Sequence, residues 1–115
     1  MTKTQAQKAR DRRNANIVNH FDTNYGRDDT KLEIWQKLCE DLGFEVGSSV
    51  SECKSELKGI YVNIVDFVAA KQANEEVRIF RSYKALQAYT LRTDRFFPLK
   101  CAKQSPILKW MLVTL

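Results

Sequence analysis

The 115-residue sequence predicts an all-α fold, a compact single-domain bundle of four or five helices. Three observations carry this reading. Apolar residues recur at three- and four-residue spacings along most of the chain. No Asn-Gly or Asp-Gly hairpin signal interrupts them. Two boxes of the type Ser/Thr-x-x-Glu and one Ser-Pro step stand where helices would begin. The length suits one domain. With 43% hydrophobic residues, among them six Phe and two Trp, a core needs no covalent staples.

The first helix is expected over about 10–24. "KARDRRNANIVNHF" changes character halfway, from a cationic stretch to Ile17, Val18 and Phe21, so residues 1–14 read as a basic, flexible arm and 15–115 as the domain. The second helix, about 30–43, opens with a Thr30/Glu33 capping box and carries a stripe of Leu32, Trp35, Leu38, Cys39 and Leu42. Gly43 is its left-handed stop, with Phe44 folding back. Trp35 reads as a packed anchor.

A third helix, about 49–72, starts at a Ser49/Glu52 box and keeps its spacing through Val50, Cys53, Leu57, Ile60 or Tyr61, Ile64 and Val68. Gly59 falls inside it at a cost of about 1 kcal/mol against Ala, which implies close approach of another helix or a local bend. The fourth, about 81–91, has Ser82 as a cap, with Phe80, Tyr83, Leu86 and Tyr89 or Thr90 at helical spacing. Pro98 breaks the following segment. Ser105 and Pro106 then start a last helix to about 114. From Ile107 to Leu115 only Lys109 and Thr114 are polar, so this helix is either inserted in the core or buried against a second subunit.

Four Gly and two Pro are too few for a linker-rich chain. The basic start is followed by no apolar run of signal-peptide length, and no stretch reaches the roughly 20 apolar residues of a bilayer span. The expectation is a soluble intracellular protein, cytoplasmic or nuclear, without a membrane partner. Cys39, Cys53 and Cys101 match no disulfide or zinc spacing. Adding His20, the one histidine, gives a formal zinc set, but no two of the four are close in sequence, and structural zinc ligands come in close pairs. Reduced core thiols are the plainer reading, and no metal or cofactor is expected.

Charge is segregated. Residues 1–20 carry net +4, residues 21–77 net −6 and residues 78–115 net +7. Such a pattern speaks of fields and partners rather than fold. Either the basic ends converge on an anionic ligand, or they neutralise the acidic middle within one molecule or between subunits. Candidate phosphate contacts are Lys8, Arg10, Arg12 and Arg13, then Arg78, Arg81, Lys84, Arg92, Arg95, Lys100 and Lys103. The second group is interleaved with Tyr83, Tyr89, Phe96 and Phe97, aromatics that would stack on bases if exposed.

Catalytic candidates are few. His20 and Asp22 are near in sequence only, and Asp28 with Asp29 suits the start of a helix. No phosphate-binding Gly loop, nucleophile elbow, metalloprotease helix or EF-hand loop is present. Neither an enzymatic activity nor a small-molecule substrate is expected.

At "WQKLCEDLG", "SECKSELKGIYVNIVDFV" and "YTLRTDRFFPLKCAK…LKWML" the chain resembles a group of small proteins of filamentous fungi. They share a tryptophan helix, a "CK..LK..VNI.D" helix and a late "FP.K.AK" element ahead of an apolar end. The likeness spans roughly residues 17–113 and rests on Trp35, Cys53, Lys54, Leu57, Lys58, Val62, Asn63, Ile64, Asp66, Phe97, Pro98, Lys100, Ala102 and Lys103. That group has no assigned activity, so the resemblance implies a compact intracellular helical fold and carries over no catalytic residue. It directs attention to Asn63 and Asp66, i, i+3 neighbours expected to bond a nearby loop or the late Lys/Arg segment, Lys100 or Lys103 being the candidates there.

The function expected is that of a non-enzymatic helical binding module working through protein contacts. Self-association would use Ile107, Leu108, Trp110, Met111, Leu112, Val113 and Leu115. Nucleic-acid binding through the phosphate backbone is the alternative.

Overall fold

The computed structural model describes residues 2–102 and 105–114, among which lie six α-helices and one short 3-10 turn. They are α1 (Gln5–Asn24), α2 (Leu32–Leu42), α3 (Val50–Leu57), α4 (Ile64–Gln72), α5 (Tyr83–Thr93), the 3-10 turn Leu99–Ala102, and α6 (Pro106–Thr114). The all-α fold class holds. Of the candidate residues, Lys103, Leu115 and the Val113 side chain lie outside what is described.

α1 starts at Gln5 rather than near residue 10. Thr4 Oγ1 accepts from the Gln7 N–H at 3.1 Å and Gln7 Oε1 accepts from the Thr4 N–H at 2.9 Å, a capping box ahead of a polar half-helix. The boundary expected between residues 14 and 15 therefore falls inside one helix. Its buried positions begin at Asn14 and continue with Ile17 and Phe21, at i, i+3 and i+7. Gly26, at φ +73°, closes the end by donating to Phe21 O.

α2 buries Trp35, Leu38, Cys39 and Leu42, the expected stripe, and stops at Gly43 with φ +82°. The Phe44 N–H returns to Cys39 O at 2.9 Å. Its expected capping box is absent: Asp28 takes both the hydroxyl and the backbone N–H of Thr30, and the N-cap is Lys31, whose side chain makes no capping bond.

The helix expected over 49–72 is two. α3 ends at Leu57, and Lys58 (φ −67°, ψ 138°) and Gly59 (φ +82°) form a turn in which the Ile60 N–H donates to Leu57 O at 3.4 Å. These values describe a type II turn, whose third position requires positive φ. Gly59 is there for its backbone. A Cβ at that position would meet nothing within 4 Å, so close approach of a second helix is not the reason. The Ser49 half of the second capping box forms, to the Glu52 N–H at 3.1 Å, whereas the Glu52 carboxylate bonds Ser48 instead of Ser49. Chain direction then resets at Asn63, whose side chain accepts from the Asp66 N–H at 3.0 Å and starts α4.

α1 packs against α4, α6 and the 3-10 turn, while α2 and α3 pair as a helical hairpin. Phe21 sits between Tyr25 and Phe67, with ring centroids 5.3 and 5.8 Å apart. Trp35 meets Trp110 edge to face at 5.0 Å and donates its indole N–H to Asp29 O at 2.8 Å, which confirms the anchor. Full burial of Phe21 and Phe67 stabilises the fold by about 1.5–3 kcal/mol each.

α6 follows the core-insertion expectation: Ile107, Leu108 and Met111 are fully buried within the chain itself, and Trp110 and Leu112 half-buried. Those first three are thereby removed from any surface open to a second subunit. Ser105 does not act as the expected side-chain cap. It is buried, its Oγ has no partner among the described residues, and its carbonyl receives the Lys109 N–H at 2.9 Å. No helix of the described residues is long and apolar enough to cross a membrane.

Candidate functional site

α5 differs from the other helices in burying none of its residues. Its first turn is capped as expected, Ser82 Oγ accepting from the Ala85 N–H at 3.1 Å. It leans on a small cluster apart from the main core. There the Phe80 and Tyr89 rings meet at a tilt, centroids 4.9 Å apart, with the Arg78 guanidinium over both, and Phe80 is pinned by an antiparallel bridge to Tyr61. The Phe80 N–H donates to Tyr61 O at 2.8 Å.

The remaining ties are polar. Asn63 Nδ2 donates to Arg95 O at 2.9 Å and to Thr90 Oγ1 at 3.2 Å. The Asp66 carboxylate accepts from the Tyr89 hydroxyl and from the Arg95 guanidinium. That carboxylate pushes the Tyr89 hydroxyl above its ordinary pKa and also raises that of the Arg95 guanidinium. The late basic segment is thus the partner, as expected, but through Arg95, joined by Tyr89, rather than Lys100, because the turn after α5 brings residue 95 over the α4 N-terminus; Lys103 lies outside the described residues. Asp94, at φ +55°, makes that turn.

Between α5, the α4 start and α6 runs an apolar groove of about 520 Å³. Ile64, Phe97 and Met111 lie at its floor. On its rim stand three large side chains that the fold leaves uncovered: Leu91 at 78% exposure, and Tyr83 and Phe96 at 59% each. The polar groups on its wall are Asn63, Gln87, Thr90 and Arg95, besides the Tyr61 and Tyr83 hydroxyls, and among the described residues no acidic one lines it. Helical geometry explains the gathering, since Tyr83, Leu86, Gln87, Thr90 and Leu91 follow the i, i+3, i+4, i+7, i+8 pattern of one face. The sequence carried most of that spacing, in Tyr83, Leu86 and Thr90, and left open what covers the face; Leu91, an aliphatic beside Arg92, is the member it did not single out.

The basic candidates come together in part. Arg13 donates to Phe96 O at 2.7 Å, and Arg10 stands 4.0 Å from the Asp94 carboxylate, so the start of α1 lies beside the 94–100 segment. Arg10, Arg13, Arg95 and Arg78 are thus held by intramolecular partners. Lys8 and Arg12 fall on another face of α1 than the docked Asn14 and Ile17. Lys8, Arg12, Arg81, Lys84 and Lys100 are exposed, with no ion pair among the described residues, and Arg92 lies 5.7 Å from the centre of the Tyr89 ring. Of the interleaved aromatics, Phe97 is buried and Tyr89 half-buried, while Tyr83 and Phe96 are open.

The reactive side chains form no second constellation. His20 Nδ1 accepts from the Asn24 amide at 3.3 Å, and Asp22 pairs with Arg27, so the two do not form a dyad. Burial holds the His20 pKa below its usual value. Cys39 and Cys53 are both fully buried where α2 meets α3; burial first, then the neighbouring Cys53, pushes the Cys39 thiol up to about 11. Among the described residues no three His, Cys, Asp or Glu side chains gather as a metal set. Compared with protein-family models, with curated proteins and with solved structures, the chain matches none.

Proposed function

We propose that the protein is a non-enzymatic binding module that receives an apolar segment of another protein in the groove between α5, the α4 start and α6. The observation that carries this is the uncovered set Leu91, Tyr83 and Phe96 around a cleft floored by core residues. Exposed apolar surface gathered on a concavity marks interaction sites, whereas isolated exposed apolar residues are ordinary. Self-association through α6 receives less support, because Ile107, Leu108 and Met111 are already in the core.

The test is selection from a displayed library of helical peptides. Recovered binders are expected to lose binding on Leu91→Asp and Phe96→Asp, both surface changes that leave the unfolding midpoint within about 0.5 kcal/mol of wild type. A library that yields no binder, or binders indifferent to both substitutions, overturns the reading.

Phosphate-backbone binding stays as the second reading, favoured by the approach of Arg10 and Arg13 to the 94–100 segment. It predicts affinity for random DNA or RNA that falls steeply with salt and weakens on replacing Arg12, Lys8 and Lys100 with Ala. Absence of binding at low salt removes it.

A further inference from the structure

We infer that the segment received by the groove is an acidic amphipathic helix; this rests on the groove being the binding surface. Charge supports it first. Residues 78–100 hold six cationic side chains and one acidic one, Asp94, which already faces Arg10. Arg81 and Lys84, at the start of α5, are exposed and have no ion pair among the described residues; Lys84 lies next to Leu91 around the helix. With no acidic residue on its lining among the described residues, the groove presents a positive field to whatever enters.

Backbone chemistry supports it next. The described residues offer one isolated bridge and no strand, so an extended peptide would find no sheet edge to pair with. A helix satisfies its own backbone and presents anchors at i, i+3 or i+4 and i+7, the spacing that matches a groove walled by one face of α5.

A second copy of the chain is a poor occupant. Its acidic surface, around Glu45, Glu52 and Glu56, has Val46 as its one large exposed apolar residue, and Val46 lies outside any helix. That surface would satisfy the charge and leave the apolar rim uncovered.

Three peptides with one shared Leu/Phe face and with Glu, Gln or Lys on the remaining positions, titrated against the full chain by fluorescence anisotropy, test the inference. The Glu peptide is expected to bind at least 10-fold tighter than the Gln peptide at 50 mM salt and the Lys peptide weakest, with the gap closing at 500 mM. Charge reversal by Arg81→Glu with Lys84→Glu inverts the order, and Leu91→Asp weakens all three. Equal affinities that still depend on Leu91 overturn the acidic partner and spare the groove. No binding, or binding indifferent to Leu91→Asp, overturns both. Displacement of the Glu peptide by random DNA or by anionic vesicles at lower concentration also overturns it, in favour of a phosphate ligand. So does a dimer broken by Leu91→Asp without peptide binding.

Discussion

Replacing Gly59 with alanine adds one methyl group at a position where that methyl would touch nothing within 4 Å. Its whole effect is therefore on the backbone. At φ +82° a residue with a Cβ pays about 1–2 kcal/mol for the left-handed conformation. Alanine also restricts the unfolded chain, which returns about 0.4–1 kcal/mol. The expected net is a loss of about 1 kcal/mol, or about 4 °C in Tm for a domain of this size. Were residues 49–72 one helix, the same substitution would gain about 1 kcal/mol, since Gly is the poorer helix former. The two arrangements thus differ in sign. Urea unfolding followed by far-UV circular dichroism and tryptophan fluorescence reads it directly, the midpoint moving while the slope stays constant. Gly59→Asn belongs in the series, because Asn enters left-handed turns more readily and should lose less. A midpoint above wild type for Gly59→Ala would refute the turn.

Three further outcomes are expected. Asn63→Ala removes a helix cap and two side-chain bonds to the α5 end, for a combined loss of about 2–3 kcal/mol; a loss below 1 kcal/mol in urea titration would mean that the bonds to Thr90 and Arg95 contribute nothing. His20 is held below the unfolded value of about 6.5, so the unfolded chain takes up the proton first. Its contribution to stability is complete above about pH 6.5 and is lost as the pH falls below it, and His20→Gln should flatten the dependence of unfolding midpoints on pH there; an unchanged slope contradicts the assignment. A thiol reagent at pH 8 should modify Cys101, which is half-buried, well before Cys39 and Cys53, which are enclosed; fast reaction of all three would show that the α2–α3 contact opens readily.

Local rules made much of the fold legible. The α2 stripe, the Gly43 stop, the Ser82 cap and the apolar α6 are each written within a few residues, and each is found where expected. Competition between neighbours hid the rest. Thr30 had the right spacing to cap α2, but Asp28, two residues away, captured its hydroxyl. Gly59 was compatible with a helix interior, and apolar positions on both sides of the turn kept a helical register across it, so periodicity could not reveal the break. The Thr4/Gln7 box was readable, yet with no large apolar residue until Ile17 nothing suggested that a helix would follow it. For the groove, the spacing of Tyr83, Leu86 and Thr90 described a face correctly and left its destination open. Periodicity identifies which residues lie together on a helix; whether another element covers them depends on contacts far away in sequence.

The fastening of α5 has a mechanical consequence. Its one cap, one bridge-pinned aromatic cluster and a few bonds from Asn63 and Asp66 make it the part of the molecule that can be lifted with the least disturbance to the rest. Amide exchange in α5 should accordingly run ahead of exchange in α2 and in the docked part of α1 from Asn14 onward, through an opening that leaves their packing in place. With that order of exchange, one wall of the groove would act as a movable jaw set against a fixed one. A jaw of that kind can settle its gap on the girth of what it holds, and tightening on an occupant would be seen as slower exchange along the whole of α5.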